Sequence, residues 1–209
     1  SLGQSALGMN TTGFSNIGIG QFALSNSVDR SNLVAIGDSA LYMNGAGATE
    51  IYHGRANTAI GKAALSSNTI GNANTAVGLR TLTSNVEGAA NTAVGASALK
   101  GNTSGRDNVA LGVSSMFFNS TGTGNVALGS YTLANGTDVS ETVAVGDSAL
   151  FHNAGAYNTA IGAKAMVDNT TGYSNTAVGF YSLPGNTDGY KNTALGAQAL
   201  FDNTSGFVN

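Results

Sequence analysis

The chain has 209 residues, of which 9% are charged and none is cysteine, and its net charge is −3. Its eight Lys and Arg are scattered, so no basic patch of the size nucleic acid demands is present. The absence of thiols excludes disulfides and cysteine-based metal sites, and no apolar run approaches membrane-spanning length.

One phrase recurs along the whole chain: a small residue, a bulky apolar residue and Gly, then two variable residues, Ala-Leu and a polar turn. Its anchor glycines are Gly3, Gly20, Gly37, Gly61, Gly78, Gly95, Gly112, Gly129, Gly146, Gly162, Gly179 and Gly196. Successive anchors lie 17 residues apart, except for one step of 24 (Gly37 to Gly61) and one of 16 (Gly146 to Gly162). A fixed period this short predicts stacked coils, a single repeat domain over residues 1–209. The chain opens mid-phrase at Ser1-Leu2-Gly3 and closes mid-phrase at Phe207-Val208-Asn209. We therefore expect a segment of a longer fibre, with any export signal or anchor outside it.

Each copy begins with a stretch such as Thr75-Ala76-Val77-Gly78. Alternation along a strand puts Thr and Val on one face and Ala and Gly on the other. Both faces are nearly free of charge. The expectation is that the bulky face fills the coil and the Ala/Gly face is left for close packing between chains. A second strand is expected around the Ala-Leu pair, then a turn such as Asn68-Thr69-Ile70-Gly71, where Asn and Gly tolerate left-handed backbone angles. No 3.6-residue apolar pattern survives the Asn/Thr/Gly clusters, so helix is excluded. The predicted class is all-β: a parallel β-solenoid of about twelve short coils, at a strand spacing of ~4.8 Å. Asn57, Asn74, Asn91, Asn108 and Asn125 recur at one position, which predicts a ladder of side-chain amides.

Two departures from the period stand out. The 24-residue step carries an insertion, Asn44 to Arg55, that gathers Glu50, Tyr52, His53 and Arg55, types rare elsewhere in the chain. Loops on rigid scaffolds often carry recognition, so these four are candidate ligand-binding residues. Near the C-terminal end Tyr157, Tyr173, Tyr190 and Phe207 fall at nearly one turn position on four successive coils. Such a row stacks on itself, on a sugar ring or on a partner.

The search for catalytic or metal-binding chemistry finds little. Asp29, Glu87, Asp138 and Asp188 share one column but never adjacent coils, and Asp138 and Glu141 read as a solvated turn pair. His53 and His152 sit on distant coils without metal-ligand spacing. No phosphate-binding loop or nucleophile elbow is present. The expectation is therefore no enzyme, no cofactor and no metal. Sequons at Asn10, Asn102, Asn119, Asn135, Asn169 and Asn203 are generated by the turn phrase itself and read as turn chemistry.

The phrase Asn91-Thr92-Ala93-Val94-Gly95-Ala96-Ser97-Ala98-Leu99 resembles the head repeats of YadA-like trimeric autotransporter adhesins and the repeat shafts of bacteriophage tail fibres. The resemblance covers essentially the whole chain, although the period here is longer than in the adhesin heads. It implies a left-handed parallel β-roll assembled as a homotrimer, in an extracellular, cell-surface or virion fibre. It further implies adhesion to a host or prey surface glycan or protein, with no nucleic acid bound and no membrane insertion by this segment. Poor burial within a 17-residue coil also favours association, since fixing the backbone costs on the order of 20 kcal/mol per coil and each buried Val or Leu returns about 1.5–3 kcal/mol. The alternatives are a polysaccharide-processing tailspike, for which the carboxylates are not clustered, and an ice-binding solenoid. The second would need a regular exposed Thr column, and this column is interrupted by Val109, Val126 and Val143.

Overall fold

In the computed structural model, which describes residues 1–209, the chain is a parallel β-solenoid without helices. Each coil contributes one three-residue strand: β1 Ile17–Ile19, β2 Val34–Ile36, β3 Thr58–Ile60, β4 Thr75–Val77, β5 Thr92–Val94, β6 Val109–Leu111, β7 Val126–Leu128, β8 Val143–Val145, β9 Thr159–Ile161, β10 Thr176–Val178 and β11 Thr193–Leu195. They form one sheet in chain order. Pairing is in register throughout, with Val77 over Val94 and Val94 over Leu111. The first copy of the phrase adds only an isolated bridge between Leu2 and Ile19. The stack therefore has eleven strands where twelve coils are expected.

The inside of the coil is the reverse of the expected one. The central Ala of every strand from β2 to β11 is buried, as at Ala76, Ala93 and Ala110. The flanking Thr/Val and Ile/Val/Leu positions are half-buried or exposed. Facing the Ala column inside the coil is the Leu column: Leu24, Leu41, Leu65, Leu82, Leu99, Met116, Leu133, Leu150, Met166 and Leu183 are among the largest fully buried side chains. Gly18 occupies the Ala position of β1, and a Cβ built there would lie 3.2 Å from Leu7 Cγ. The cause is lateral space. A coil this thin holds one long side chain per level, and once Leu fills it the opposing strand can offer only a methyl group. The Ala column thus lies inside each chain and cannot pack against a sister chain.

The expected second strand is also absent. Around the buried Leu the backbone alternates into the left-handed region, with φ of 59° at Ser97 and 49° at Leu99. Turns close through Ala98 N–H to Gly95 O at 3.2 Å and Asn102 N–H to Leu99 O at 3.1 Å. Coil-to-coil bonding nevertheless continues: Ser97 N–H donates to Leu79 O and Leu99 N–H to Ser115 O, both at 2.9 Å. Of 129 backbone hydrogen bonds only 20 lie within the strands, so the turns hold the stack more than the sheet does. A left-handed Leu costs roughly 1–2 kcal/mol, an amount its burial of about 1.5–3 kcal/mol offsets.

Two buried asparagine columns complete the interior. The expected ladder forms, with Asn91 Nδ2 donating to Asn74 Oδ1 at 3.1 Å and Asn108 Nδ2 to Asn91 Oδ1 at 3.0 Å. The turn asparagines form a second one: Asn85 Nδ2 donates to Asn68 Oδ1, and Asn102 Nδ2 to Asn85 Oδ1, both at 2.7 Å. The sequon residues Asn102, Asn119 and Asn169 belong to this second column and are buried, so a glycan cannot reach them in the folded chain.

Both columns break on the coils that hold Ser27, Arg30 and Leu33, and again Gly136, Val139 and Thr142. In each case two asparagines and the turn glycine change together. On the later coil the Val139 side chain takes the vacated room: a Cβ on Gly136 would lie 2.6 Å from Val139 Cγ2.

Candidate functional site

The insertion is seated at the corner between the two asparagine columns. Elsewhere this corner is closed by a side-chain bond over a short turn, as from Asn68 Nδ2 to Gly71 O at 2.8 Å. In the long coil the same bond runs from Asn44 Nδ2 to Gly54 O at 2.7 Å, so the extra residues loop outward while the corner stays shut. In the 16-residue coil the bond joins Asn153 to Gly155 O, also at 2.7 Å.

Arg30 holds the loop down. It stands where most copies have the turn glycine, and it is 5% exposed. It donates from Nη1 to Glu50 O at 3.0 Å and from Nη2 to Ala48 O at 3.1 Å. Its Nε lies 3.2 Å from Asp29 Oδ1, an ion contact without the alignment of a hydrogen bond. Charge-assisted bonds of this kind are roughly twice as strong as neutral ones, which suits a clamp on an otherwise solvated loop.

The loop and the first two coils enclose a cleft of about 380 Å³ lined by Thr12, Phe14, Asp29, Arg30, Ser31, Ala48, Thr49, Glu50, Ile51 and Arg55. Phe14, Ser31 and Arg55 occupy one vertical column: Asn32 N–H donates to Phe14 O at 3.1 Å and Ala56 N–H to Ser31 O at 3.4 Å. Of the four candidate residues in the insertion, Glu50 and Arg55 meet here. Tyr52 and His53 do not. They turn to a smaller cleft of about 180 Å³ with Ile70, Asn72, Glu87, Ala89 and Arg106. There the rings of Tyr52 and His53 pack edge to face, and His53 Nδ1 accepts from Glu50 N–H at 3.2 Å. Phe14, Asp29 and Arg30 were missed in the sequence. A readable signal existed, since Arg30, Ser27 and Leu33 depart together from the turn-glycine and asparagine columns.

The aromatic row is three rings long. Tyr173 and Tyr190 stack at 5.2 Å with 3° between planes, and Tyr190 and Phe207 at 5.3 Å with 5°. Tyr157 lies outside the row. Its N–H donates to Ser140 O and Ser174 N–H donates to Ala156 O, so Ala156, not Tyr157, precedes Tyr173 in the column. The missing residue of the 16-residue step lies before Tyr157 and shifts it by one place.

A second aromatic surface was not foreseen. Ser114, Phe117, Phe118, Tyr131, Ala134, Asn135 and Phe151 line a mainly apolar cleft of about 270 Å³, with Lys100 Nζ 4.9 Å from the centre of the Phe117 ring.

Asp29 and Glu50 are the two carboxylates that line one cleft. Asp138 is met across adjacent coils by Thr121 Oγ1 at 2.7 Å, not by another acid. His152 pairs with Asp168 at 3.0 Å on an exposed surface. No group of three or more His, Asp and Glu comes together in a way that could hold a metal ion.

The outer face of the sheet runs the whole length of the stack. Its two columns carry Thr or an apolar residue on every strand and no charge. Ile17, Ile19, Ile60, Val94, Leu111, Ile161 and Leu195 are between 37% and 78% exposed on it. No protein-family model, curated protein or solved structure matches the chain.

Proposed function

We propose that the chain is a structural and adhesive segment of an extracellular fibre, three copies of which associate through the outer sheet face, with irregular turns contacting a host or prey surface. The observation that carries this reading is the uncharged, largely apolar outer face that runs along all eleven strands, exposed on seven of them and half-buried on β2, β4, β7 and β8. Exposed apolar stripes of this length mark association surfaces. At ~4.8 Å per strand the face is roughly 50 Å long, and two outward columns make it about 10 Å wide. Three such strips meeting on a common axis hide on the order of 1,500 Å² in all, about 500 Å² per chain, within the range of total area that a specific assembly buries. The interior supplies the matching need, because each coil buries little more than a Leu, two small residues and two asparagines.

Sedimentation equilibrium tests the proposal. The expected species is three times the 20.8 kDa chain mass. Val94→Lys, which places a charge in the outer face without touching the interior, is expected to give a folded monomer. A wild-type chain that is a stable monomer at micromolar concentration overturns the reading.

The exposure of the same face favours one second reading. Thr occupies one outer column on six strands, in two runs of three, β3 to β5 and β9 to β11, separated by the Val residues of β6 to β8. Such a surface suits ice. Thermal hysteresis by a monomer would support it, and an oligomer that hides the face is incompatible with it.

A further inference from the structure

We propose that the cleft beneath the insertion binds an acidic monosaccharide unit, a uronic or sialic acid residue, with Arg55 holding the carboxylate and the Phe14 ring lying under the apolar face of the sugar. The inference rests on reading the insertion as a recognition loop. It does not depend on chain association, because no residue of the outer sheet face lines the cleft.

The two guanidinium groups in the cleft differ in their commitments. Arg30 is engaged by Ala48 O, Glu50 O and Asp29, and forms the floor. Arg55 makes no side-chain hydrogen bond and belongs to neither of the chain's two ion pairs, Asp29–Arg30 and His152–Asp168. Its Nε is buried with no partner. A buried donor left unpaired costs about 1–3 kcal/mol. A carboxylate offers two acceptors in the plane that a guanidinium fork requires, and so satisfies it. Arg55 is thus the group in this cleft that lacks an anion.

The remaining lining specifies what the anion is attached to. Phe14 is 62% exposed, an aromatic face left open to solvent at one end of the column. Arg55 stands two coils away, about 10 Å at the coil spacing, with the small Ser31 between them. One pyranose ring fits that span. Asp29, Glu50 and Thr12 also line the cleft and offer two carboxylate acceptors and a hydroxyl to the hydroxyl groups of a sugar. The cleft volume of about 380 Å³ falls at the small end of ligand sites. A bare anion would leave Phe14 uncovered, and a neutral sugar would leave Arg55 unpaired. A sugar carrying a carboxylate meets both.

The test is an NMR titration of the intact 209-residue chain with glucuronate and with N-acetylneuraminate, and with glucose and acetate as the two half-ligands. Either acidic sugar is expected to shift the Phe14 amide and the Arg55 Nε–H signals, with affinity at least tenfold above glucose and acetate. Arg55→Gln is expected to lose at least tenfold and Phe14→Leu several-fold. Arg55→Lys keeps the charge but not the fork and is expected to fall between wild type and Arg55→Gln, which decides the matter should Arg55→Gln not fold. The proposal is overturned if neither acidic sugar moves these signals, if acetate binds as well as they do, or if Arg55→Gln and Arg55→Lys bind like wild type. Sedimentation of the same samples separates the two readings. A trimer that ignores both acidic sugars overturns the cleft alone, and a monomer that binds one overturns the fibre alone.

Discussion

Asn74 donates twice to the same oxygen, Asn57 Oδ1: from its backbone N–H at 2.9 Å and from its Nδ2 at 3.2 Å. Its other Nδ2 hydrogen goes to Gly88 O at 2.8 Å. One residue type thus ties main chain to side chain between coils and closes a corner as well. Only a short amide combines an acceptor able to take two donors with two donors of its own.

Replacement within this ladder is therefore expected to be costly. Asn91 gives two side-chain bonds, to Asn74 Oδ1 and Gly105 O, and accepts two from Asn108. Asn91→Ala removes all four and leaves the buried Asn108 N–H without its acceptor. A loss of about 3 kcal/mol or more is expected in chemical denaturation. Asn91→Asp should be worse at neutral pH, because a carboxylate cannot donate and would face two carbonyl oxygens. Equal stability of Asn91→Asp and wild type would contradict the hydrogen-bond assignment.

The anchor glycines separate two effects that usually come together. Gly78 has φ +136°, and a Cβ there would lie 2.7 Å from the carbonyl carbon and oxygen of Gly95. Gly196 has a similar φ of +119° but meets nothing within 4 Å. Gly78→Ala should therefore disrupt the stack or lower the melting temperature sharply, while Gly196→Ala carries only the backbone strain, of order 1–3 kcal/mol. Thermal melts of the two variants decide it, and similar melts would mean that close coil approach is not the constraint.

At the Leu column the backbone, not volume, sets what is tolerated. Leu99 is fully buried at φ 49°. Leu99→Met, already the natural choice at Met116 and Met166, should cost less than about 1.5 kcal/mol. Leu99→Ile keeps the volume but puts a β-branched residue in the left-handed region, where it is a genuine outlier. It should cost at least 2 kcal/mol, at the low end of an outright Leu→Ala truncation of about 2–5 kcal/mol. Equilibrium unfolding of the three variants gives the order directly.

The 16-residue coil predicts where a single residue can be removed. Its corner bond from Asn153 to Gly155 spans one residue fewer than that from Asn85 to Gly88. Deleting the exposed Glu87 should shorten the corner in the same way, for roughly 1 kcal/mol or less, as with other surface-loop changes. Deleting Ala93 shifts every later side chain of its strand to the opposite face and should abolish folding. Circular dichroism and denaturation of the two deletions test this.

Much of this architecture was legible in the sequence, and for a physical reason. A period of 17 residues fixes which side chains lie over one another, so the register of Val77, Val94 and Leu111 and the ladder through Asn91 could be read directly. Alternation along Thr75-Ala76-Val77 divides two faces but does not say which is inside. That depended on Leu82, which lies across the coil and claims the room. The left-handed φ at Leu99 was equally hidden, because Leu is not a residue from which such a conformation is inferred. At the candidate site Glu50 and Arg55 were found by their rarity. Arg30 was not, because its role as the clamp on Ala48 and Glu50 follows from where the loop folds back. Tyr157 was misplaced because a single missing residue, just upstream, moved it off the column of Tyr173.

The bond from turn asparagine to turn glycine is made whether the two are separated as Asn153 and Gly155, as Asn68 and Gly71, or as Asn44 and Gly54. Neighbouring rungs are indifferent to how much polypeptide hangs between those two residues. The corner is thus a socket: foreign peptides could be grafted there at ~4.8 Å intervals, and the scaffold would display them as a comb of chosen spacing.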